Sequence, residues 1–176
     1  MPESCESRMS TIQTYEQDTS AMDRINAWVM AFNLANARPL VGGGFEVWTP
    51  NSFAKYAPDP TDVHAAHSNY FQILGEHGYI GLGLFLAILF VGWSWGGRII
   101  KLSQQNPELT WAASLARAVQ VSLIGYAAAG TFINIGYWEI MYYEIVALMV
   151  VRNLLEPQNP KLARRAASRV TNTVRG

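Results

Sequence analysis

The 176-residue sequence holds one cysteine, Cys5, which excludes an intramolecular disulfide and a cysteine-based zinc site. It has no surplus of either charge, because 13 Lys and Arg balance 13 Asp and Glu. Without a basic excess there is no electrostatic case for binding nucleic acid. The start, Met-Pro-Glu-Ser-Cys-Glu, lacks the basic-then-apolar run of a secretory signal. No internal repeat is visible. The most informative absence is local: Tyr79–Gly97 contains no charged residue.

What is present follows that divide. Residues 1–78 are mixed and polar, whereas 79–155 are dominated by apolar stretches. About 20 predominantly apolar residues suffice for a helix to cross the bilayer core, and three stretches qualify. Tyr79–Gly97 ends in Trp93 and Trp95, which suit an interfacial belt. Ala118–Gly136 carries the small residues Gly125, Ala129 and Gly130, which would let neighbouring helices approach closely. Tyr137–Leu155 opens with Trp138, Tyr142 and Tyr143 and contains Glu139 and Glu144. A carboxylate is costly inside a bilayer, so Glu144 should face the other helices. A soluble helical bundle is the competing reading, but Tyr79–Gly97 shows no polar face over about five turns.

Charge placement orients these spans. Up to residue 78, nine acidic residues face four basic ones; from Arg152 onward, six basic residues face the single acid Glu156. Arg98, Lys101 and Arg117 lie between the first two spans, and Lys161, Arg164, Arg165, Arg169 and Arg175 follow the third. Three spans put both basic regions on one side, which the positive-inside bias assigns to the cytoplasm. Residues 1–78 are then a periplasmic loop and 156–176 a basic cytoplasmic tail, in which Leu162–Val170 has the composition to lie on an anionic membrane surface. Translocating residues 1–78 without a signal of their own requires spans upstream. The expectation is therefore the C-terminal part of a longer multi-pass protein of a bacterial inner membrane.

Within the loop, Ser20-Ala-Met-Asp23 resembles a capping box, and Ile25, Trp28, Val29 and Phe32 recur at helical spacing. That helix should stop near Arg38-Pro39, since the residue before proline avoids helical torsions. Gly42–Gly44 reads as a flexible turn or an anion-binding backbone nest. Thr49–Thr61, with Pro50, Pro58 and Pro60, reads as a loop. A second helix is expected from Thr61 or Asp62 to His77, ended by Gly78. On it, His67 would share a face with Phe71 and Leu74.

Two stretches of the loop stand out together. One is Arg24-Ile-Asn-Ala-Trp28 with Arg38-Pro-Leu-Val-Gly-Gly-Gly44; the other is His64-Ala-Ala-His67-Ser-Asn-Tyr-Phe-Gln72 with Leu74-Gly-Glu-His-Gly78 and Gly81-Leu82. In these residues the sequence resembles the O-antigen ligase and polymerase superfamily. Around Asp59-Pro60 and His64–His77 it is most similar to ligases associated with exosortase systems. The resemblance implies an all-α integral membrane fold: an external helical loop followed by three transmembrane helices, forming the C-terminal part of a multi-span GT-C-like glycosyltransferase. It implies a polyprenyl-diphosphate-linked glycan donor and a hydroxyl acceptor on lipid A-core, protein or polysaccharide, as in lipopolysaccharide biosynthesis, with no cofactor and no metal. Arg24 matches the motif arginine, and its planar fork suits the diphosphate. Arg38, fourteen residues on and within about 40° on an ideal helix, is a secondary diphosphate ligand. His67 matches the motif histidine and would act as general base, with His64, Ser68 and Tyr70 in support. Upstream transmembrane helices would complete the cavity, so this chain alone is expected to be inactive.

Plainer readings exist for each residue. Arg24 could pair with Asp23 or Glu16 on a solvated face, and His67 could be an ordinary buried histidine. His64 and His67 at i, i+3 could chelate a metal with Asp62 or Glu76, although no HExxH pattern is present. His77 reads as an interfacial structural residue, and Trp28 and Tyr70 as packing residues. At the level of function, a polymerase of the same superfamily differs only in its acceptor. A non-catalytic small membrane protein and a transporter built around Glu144 are the remaining alternatives.

Overall fold

The computed structural model describes residues 19–104 and 106–156, so the expectations for the start of the chain and for the tail beyond Glu156 lie outside the described residues. Those described are all-α with no β-sheet: α1 (Thr19–Ala37), α2 (Pro50–Tyr56), α3 (Asn69–Ser103), a 3-10 turn (Pro107–Leu109), α4 (Thr110–Ala129) and α5 (Glu139–Leu155). They divide into two compact units. The first takes residues up to Phe85 together with Ala129–Tyr137; the second takes Leu86–Ala128 and the chain from Trp138 onward.

In the first unit α1 is under way at Thr19, so Ser20 lies in its first turn rather than at a cap. It stops at Ala37, ahead of Arg38-Pro39, as the proline demands. The large residues that set its periodicity are not its buried face: Ile25 and Phe32 are exposed, while Ala27, Met30, Ala31, Leu34 and Ala35 are buried. Small side chains are needed there because α1 lies close against α3, where a Cβ on Gly75 would meet that of Ala31 at 3.2 Å. Ala27, Met30 and Leu34 form a core with Val47 and Phe53.

Phe53 comes from a helix that was expected to be a loop. Thr49-Pro50 is a helix start, with the Thr49 hydroxyl accepting from the Ser52 N–H and proline at the first helical position, where its missing N–H costs nothing. The expected helix from Thr61 does not form either. Residues 61–68 are irregular and α3 begins at Asn69, so His64 and His67 share no helix, and His67 shares no helical face with Phe71 and Leu74.

The decisive local feature is Gly78, where α3 breaks with φ 65° and ψ −164°. An uninterrupted helix would bond the N–H of Tyr79 to the carbonyl of Gly75 and that of Ile80 to Glu76. Instead, the Gly43 and Gly44 N–H groups donate to the carbonyls of Gly75 and Glu76 at 2.8 and 2.9 Å, and the Tyr79 N–H donates to the Pro39 carbonyl at 2.9 Å. Residues 39–44 are thus neither a flexible turn nor an anion nest, because the N–H groups of the triglycine are engaged by carbonyls, that of Gly42 by Arg38. The approach is backbone to backbone: a Cβ on Gly42 would lie 2.6 Å from the Gly75 carbonyl oxygen, and one on Gly78 would lie 2.6 Å from that of Pro39.

The second unit supplies the apolar helices. Asn69–Ser103 and Pro107–Ala129 are each long and apolar enough to cross a membrane. Only 17% and 28% of their most apolar windows are buried, whereas the core helix of a soluble protein is mostly covered. Uncovered apolar helices of this length are the mark of lipid as solvent, consistent with an inner-membrane protein. The expected second span, Ala118–Gly136, is displaced. Asn106-Pro107 opens the segment, Asn106 accepting from the Glu108 N–H, and the helix ends at Ala129 ahead of Gly130. The third stretch folds as α5, whose 17 residues reach about 25 Å against a core of about 30 Å. Close helix approach falls on glycines of α3 rather than on Gly125, which has open space around it. A Cβ on Gly92 would meet Ile145 at 2.8 Å, and one on Gly96 would meet Gln120 at 2.9 Å. This small-xxx-small spacing is a recurrent device of membrane helix packing. At one end, Arg98 and Arg152 both bind Glu156, at 2.9 and 2.8 Å, and Arg152 lies over the Trp95 ring.

Two outcomes follow from these contacts. Gly42→Ala should lose on the order of 2–4 kcal/mol of stability in detergent, through strain and a backbone clash; a wild-type unfolding midpoint would show that residues 39–44 do not hold the break. The Arg152 hydrogen bonds, then the charges of Arg152 and Arg98, hold the Glu156 carboxyl below its ordinary value against a smaller opposing effect of burial. Its contribution is therefore full above a carboxylate's usual pKa of about 4.3 and is lost as pH falls through the depressed value. Between pH 5 and 3 the melting temperature of the wild type should fall more steeply than that of Glu156→Gln, and parallel slopes would remove Glu156 from the acid sensitivity.

Candidate functional site

The predicted site residues all belong to the first unit. Their arrangement follows from how α1 lies along the first turns of α3. Trp28 stacks on Phe71 with ring centroids 4.9 Å apart and planes 7° off parallel, and its indole N–H donates to the Ala66 carbonyl at 2.6 Å. Further along, Ala31 meets Gly75, and the Tyr79 hydroxyl donates to Asn36 at 2.8 Å. Trp28–Phe71 and Asn36–Tyr79 are both pairs 43 positions apart, and Ala31–Gly75 are 44 apart. The two segments are therefore parallel and in register. Arg24 lies one turn before Trp28 on the same face, and it is 43 positions from His67. His67, however, precedes α3 in the irregular segment, where Trp28 meets Ala66, 38 positions on, so the helical register does not extend to it.

The irregular segment leading to His67 is pinned to the same stretch of α1. Buried Asn26 donates to the carbonyls of Asp59 and Asp62 at 2.9 and 3.0 Å and accepts from the Asp59 N–H. The Asp59 carboxylate closes a turn by accepting from the Thr61 hydroxyl and N–H, which hold its pKa below the ordinary value. His64 is exposed and pairs with Asp62 at 2.5 Å. With Asp23 these two present ligand atoms within 4.8 Å of one another, a set that could hold a divalent cation. The His64–His67 metal pair is not formed. An open cleft of about 520 Å³ adjoins this cluster, lined by Met22, Asp23, Ile25, Asn26, Pro58, Asp59 and Asp62. Its carboxylates suit cations or sugar hydroxyls rather than an anion.

Arg24 is half-buried and forms no ion pair with a described residue, Asp23 included. Arg38 follows the last turn of α1, exposed, and at 1.5 Å per residue it stands about 20 Å along the axis from Arg24. The two arginines are not brought together. His67 is exposed and has φ +46°, unlike the buried structural histidine it could have been. Ser68 is buried, with its N–H on the Asn134 side-chain oxygen at 2.8 Å and its hydroxyl without a partner among the described residues. Tyr70 is half-buried and packs edge-on against Phe85.

Sequence reasoning missed a second polar group at the break. Glu76, only 3% exposed, accepts from the Trp48 indole and the Gln72 amide at 3.3 Å each and from the Tyr137 hydroxyl. That hydroxyl also meets His77 Nε2 at 2.9 Å, and Phe45 packs edge-on against the His77 ring. With the Tyr137 proton directed to Glu76, His77 Nε2 is the donor in its contact with that hydroxyl. The Glu-His-Gly motif contained half of this network, but Tyr137 lies 61 positions from Glu76 and carries no local signal.

With this geometry established, the comparisons can be read. Residues 3–86 match the O-antigen ligase family. The matched stretch is just under half of the chain and contains Arg24, Arg38, His67 and the Gly78 break. It associates the chain with the O-antigen ligase and polymerase superfamily. No curated protein and no solved structure matches the chain. Asn134 and Tyr137, which bind the motif segment from outside, lie beyond the matched residues.

Tyr137→Phe should cost about 1–3 kcal/mol, because it removes a donor from a buried carboxylate. Glu76→Gln should soften that loss, since an amide needs less compensation than a charge. Equal unfolding midpoints for Tyr137→Phe and wild type would show that the hydroxyl does not support Glu76.

Proposed function

We propose that the chain is the C-terminal part of an inner-membrane glycan ligase. It transfers a polyprenyl-diphosphate-linked glycan to an acceptor hydroxyl at the periplasmic face. The observation that supports this reading is the match of residues 3–86 to the O-antigen ligase family, within which Arg24 forms no ion pair with a described residue and His67 is exposed. In the reaction the acceptor hydroxyl gives its proton to the His67 imidazole, and its oxygen attacks the anomeric carbon. The bond from that carbon to the diphosphate breaks, and the electron pair leaves with polyprenyl diphosphate, whose charge Arg24 stabilises. A guanidinium suits that task because it stays charged and binds phosphate oxygens bidentately. A side-chain base suits the other because a neutral hydroxyl is a poor nucleophile.

Membrane placement agrees with this chemistry. The Arg98–Glu156 pair joins two segments rich in basic residues, which supports a cytoplasmic position for both. Residues up to His77 are then periplasmic, where lipid-linked glycans are consumed. Upstream spans would close the cavity and add cations. Acceptors on lipid A-core, protein or polysaccharide fit equally, and a lipid-linked glycan as acceptor would make the protein a polymerase by the same step.

Glycan transfer in membranes of the native host tests the reading. His67→Ala should lower the rate about 10²- to 10⁴-fold, and Arg24→Ala about 10²- to 10³-fold, both with normal membrane insertion. Arg38→Ala should retain transfer. Wild-type rates for either of the first two variants would remove that residue from the mechanism.

A further inference from the structure

We propose that Asn134 is the positioning residue for His67, an inference that rests on the reading of His67 as the base. His67 is exposed, yet its backbone is held at φ +46°, in the left-handed region that side chains other than glycine seldom occupy. Strained residues persist where their surroundings over-determine them, and they concentrate at functional positions. Buried hydrogen bonds from residues 130–135 hold the segment here. The peptide plane between His67 and Ser68 is set by the ψ angle of His67, and its N–H is the group that donates to Asn134 Oδ1 at 2.8 Å. One residue on, the Asn69 N–H donates to the Gly130 carbonyl at 2.7 Å, and Asn69 Oδ1 in turn accepts from the Ile135 N–H at 2.6 Å. Ser68 and Asn69 are each 1% exposed, so this clamp is sheltered from water while the imidazole is not.

Ordinary helix capping does not account for the contact. The N–H groups left unserved at a helix start belong to its first turn, whereas the Ser68 N–H precedes it. In a capping box that N–H would be served by a Glu or Gln three residues on. Here that position is Phe71, stacked on Trp28. The task passes to a residue 66 positions away, on a segment that joins the first unit only by folding back onto it. Losing the Asn134 oxygen frees the 67–68 peptide plane to rotate and lets the imidazole leave its position.

The full chain in its native membrane gives the kinetic readout, and ¹⁵N-histidine spectra of the chain in lipid nanodiscs give the conformational one. Asn134→Ala should lower kcat about 10- to 100-fold, as misplacement of a reacting group does, with an unchanged KM for the lipid-linked donor. It should also shift the His67 imidazole resonances and leave those of His77 in place. Asn134→Asp keeps an acceptor oxygen and should restore kcat to within about threefold of wild type and return the His67 resonances. Unmoved His67 resonances in Asn134→Ala overturn the proposal, as does a wild-type kcat, a loss expressed in KM alone, or a loss that Asn134→Asp does not repair. If His67→Ala retains transfer while Asn134→Ala moves the His67 resonances, the base assignment falls and the positioning contact stands.

Discussion

The docking of residues 39–44 onto the break at Gly78 is the constraint on which the first unit depends. A helix that leads into an apolar span cannot leave carbonyl and N–H groups bare where water is scarce, because each costs several kcal/mol unsatisfied. The loop after α1 serves the Gly75 and Glu76 carbonyls and the Tyr79 N–H at the break. Contact this close requires glycine at Gly42 and Gly78, whose φ angles of 60° and 65° also lie in the left-handed region. Once the loop is fixed, so is the end of α1, and the register of α1 along α3 follows.

The rise along α1 separates the two arginines. On an ideal helix Arg24 and Arg38 share a face, but a shared face is an angular statement, and fourteen residues of rise keep them apart. Arg38 sits at the glycine-loop end, near Pro39 and the break, whereas Arg24 sits beside the segment that carries His64 and His67. The neighbouring carboxylates Asp23 and Asp62 are partly occupied by His64, and Arg24 forms no salt bridge with either.

The apolar stretches, the end of α1 before Pro39 and the break at Gly78 were legible because each depends on local chemistry: length without charge, a fixed proline ring, a residue without Cβ. Errors arose where one residue type carries two meanings. Pro50 reads as a loop breaker in a proline-rich stretch, yet directly after Thr49 it opens a helix. Asn106-Pro107 likewise started α4 earlier than its hydropathy suggested. The spacing of Ile25, Trp28, Val29 and Phe32 identified a helix, but of these Ile25 and Phe32 are exposed, since burial there is governed by how near α3 comes and not by side-chain size. The candidate residues Arg24 and His67 were legible through their motifs, while the contacts that hold them were not. Asn134 and Tyr137 are ordinary residues in an ordinary connection until the fold returns them to the motif.

That return bears on where the site ends. The stretch matching the O-antigen ligase family closes at residue 86, before the first apolar helix is complete. Yet the peptide plane of His67, the buried carboxylate of Glu76 and the ring of His77 each meet a side chain from residues 134–137. These contacts connect the connection after α4 to both ends of the first segment of α3, the irregular start at Ser68 and the break at Gly78. A rigid segment held at both ends keeps a strained residue at one end from relaxing, because rotation at His67 would have to move Ser68 and Asn69 against buried hydrogen bonds. The motif segment carries the strained residue, and the later connection supplies the stiffness that keeps it in place.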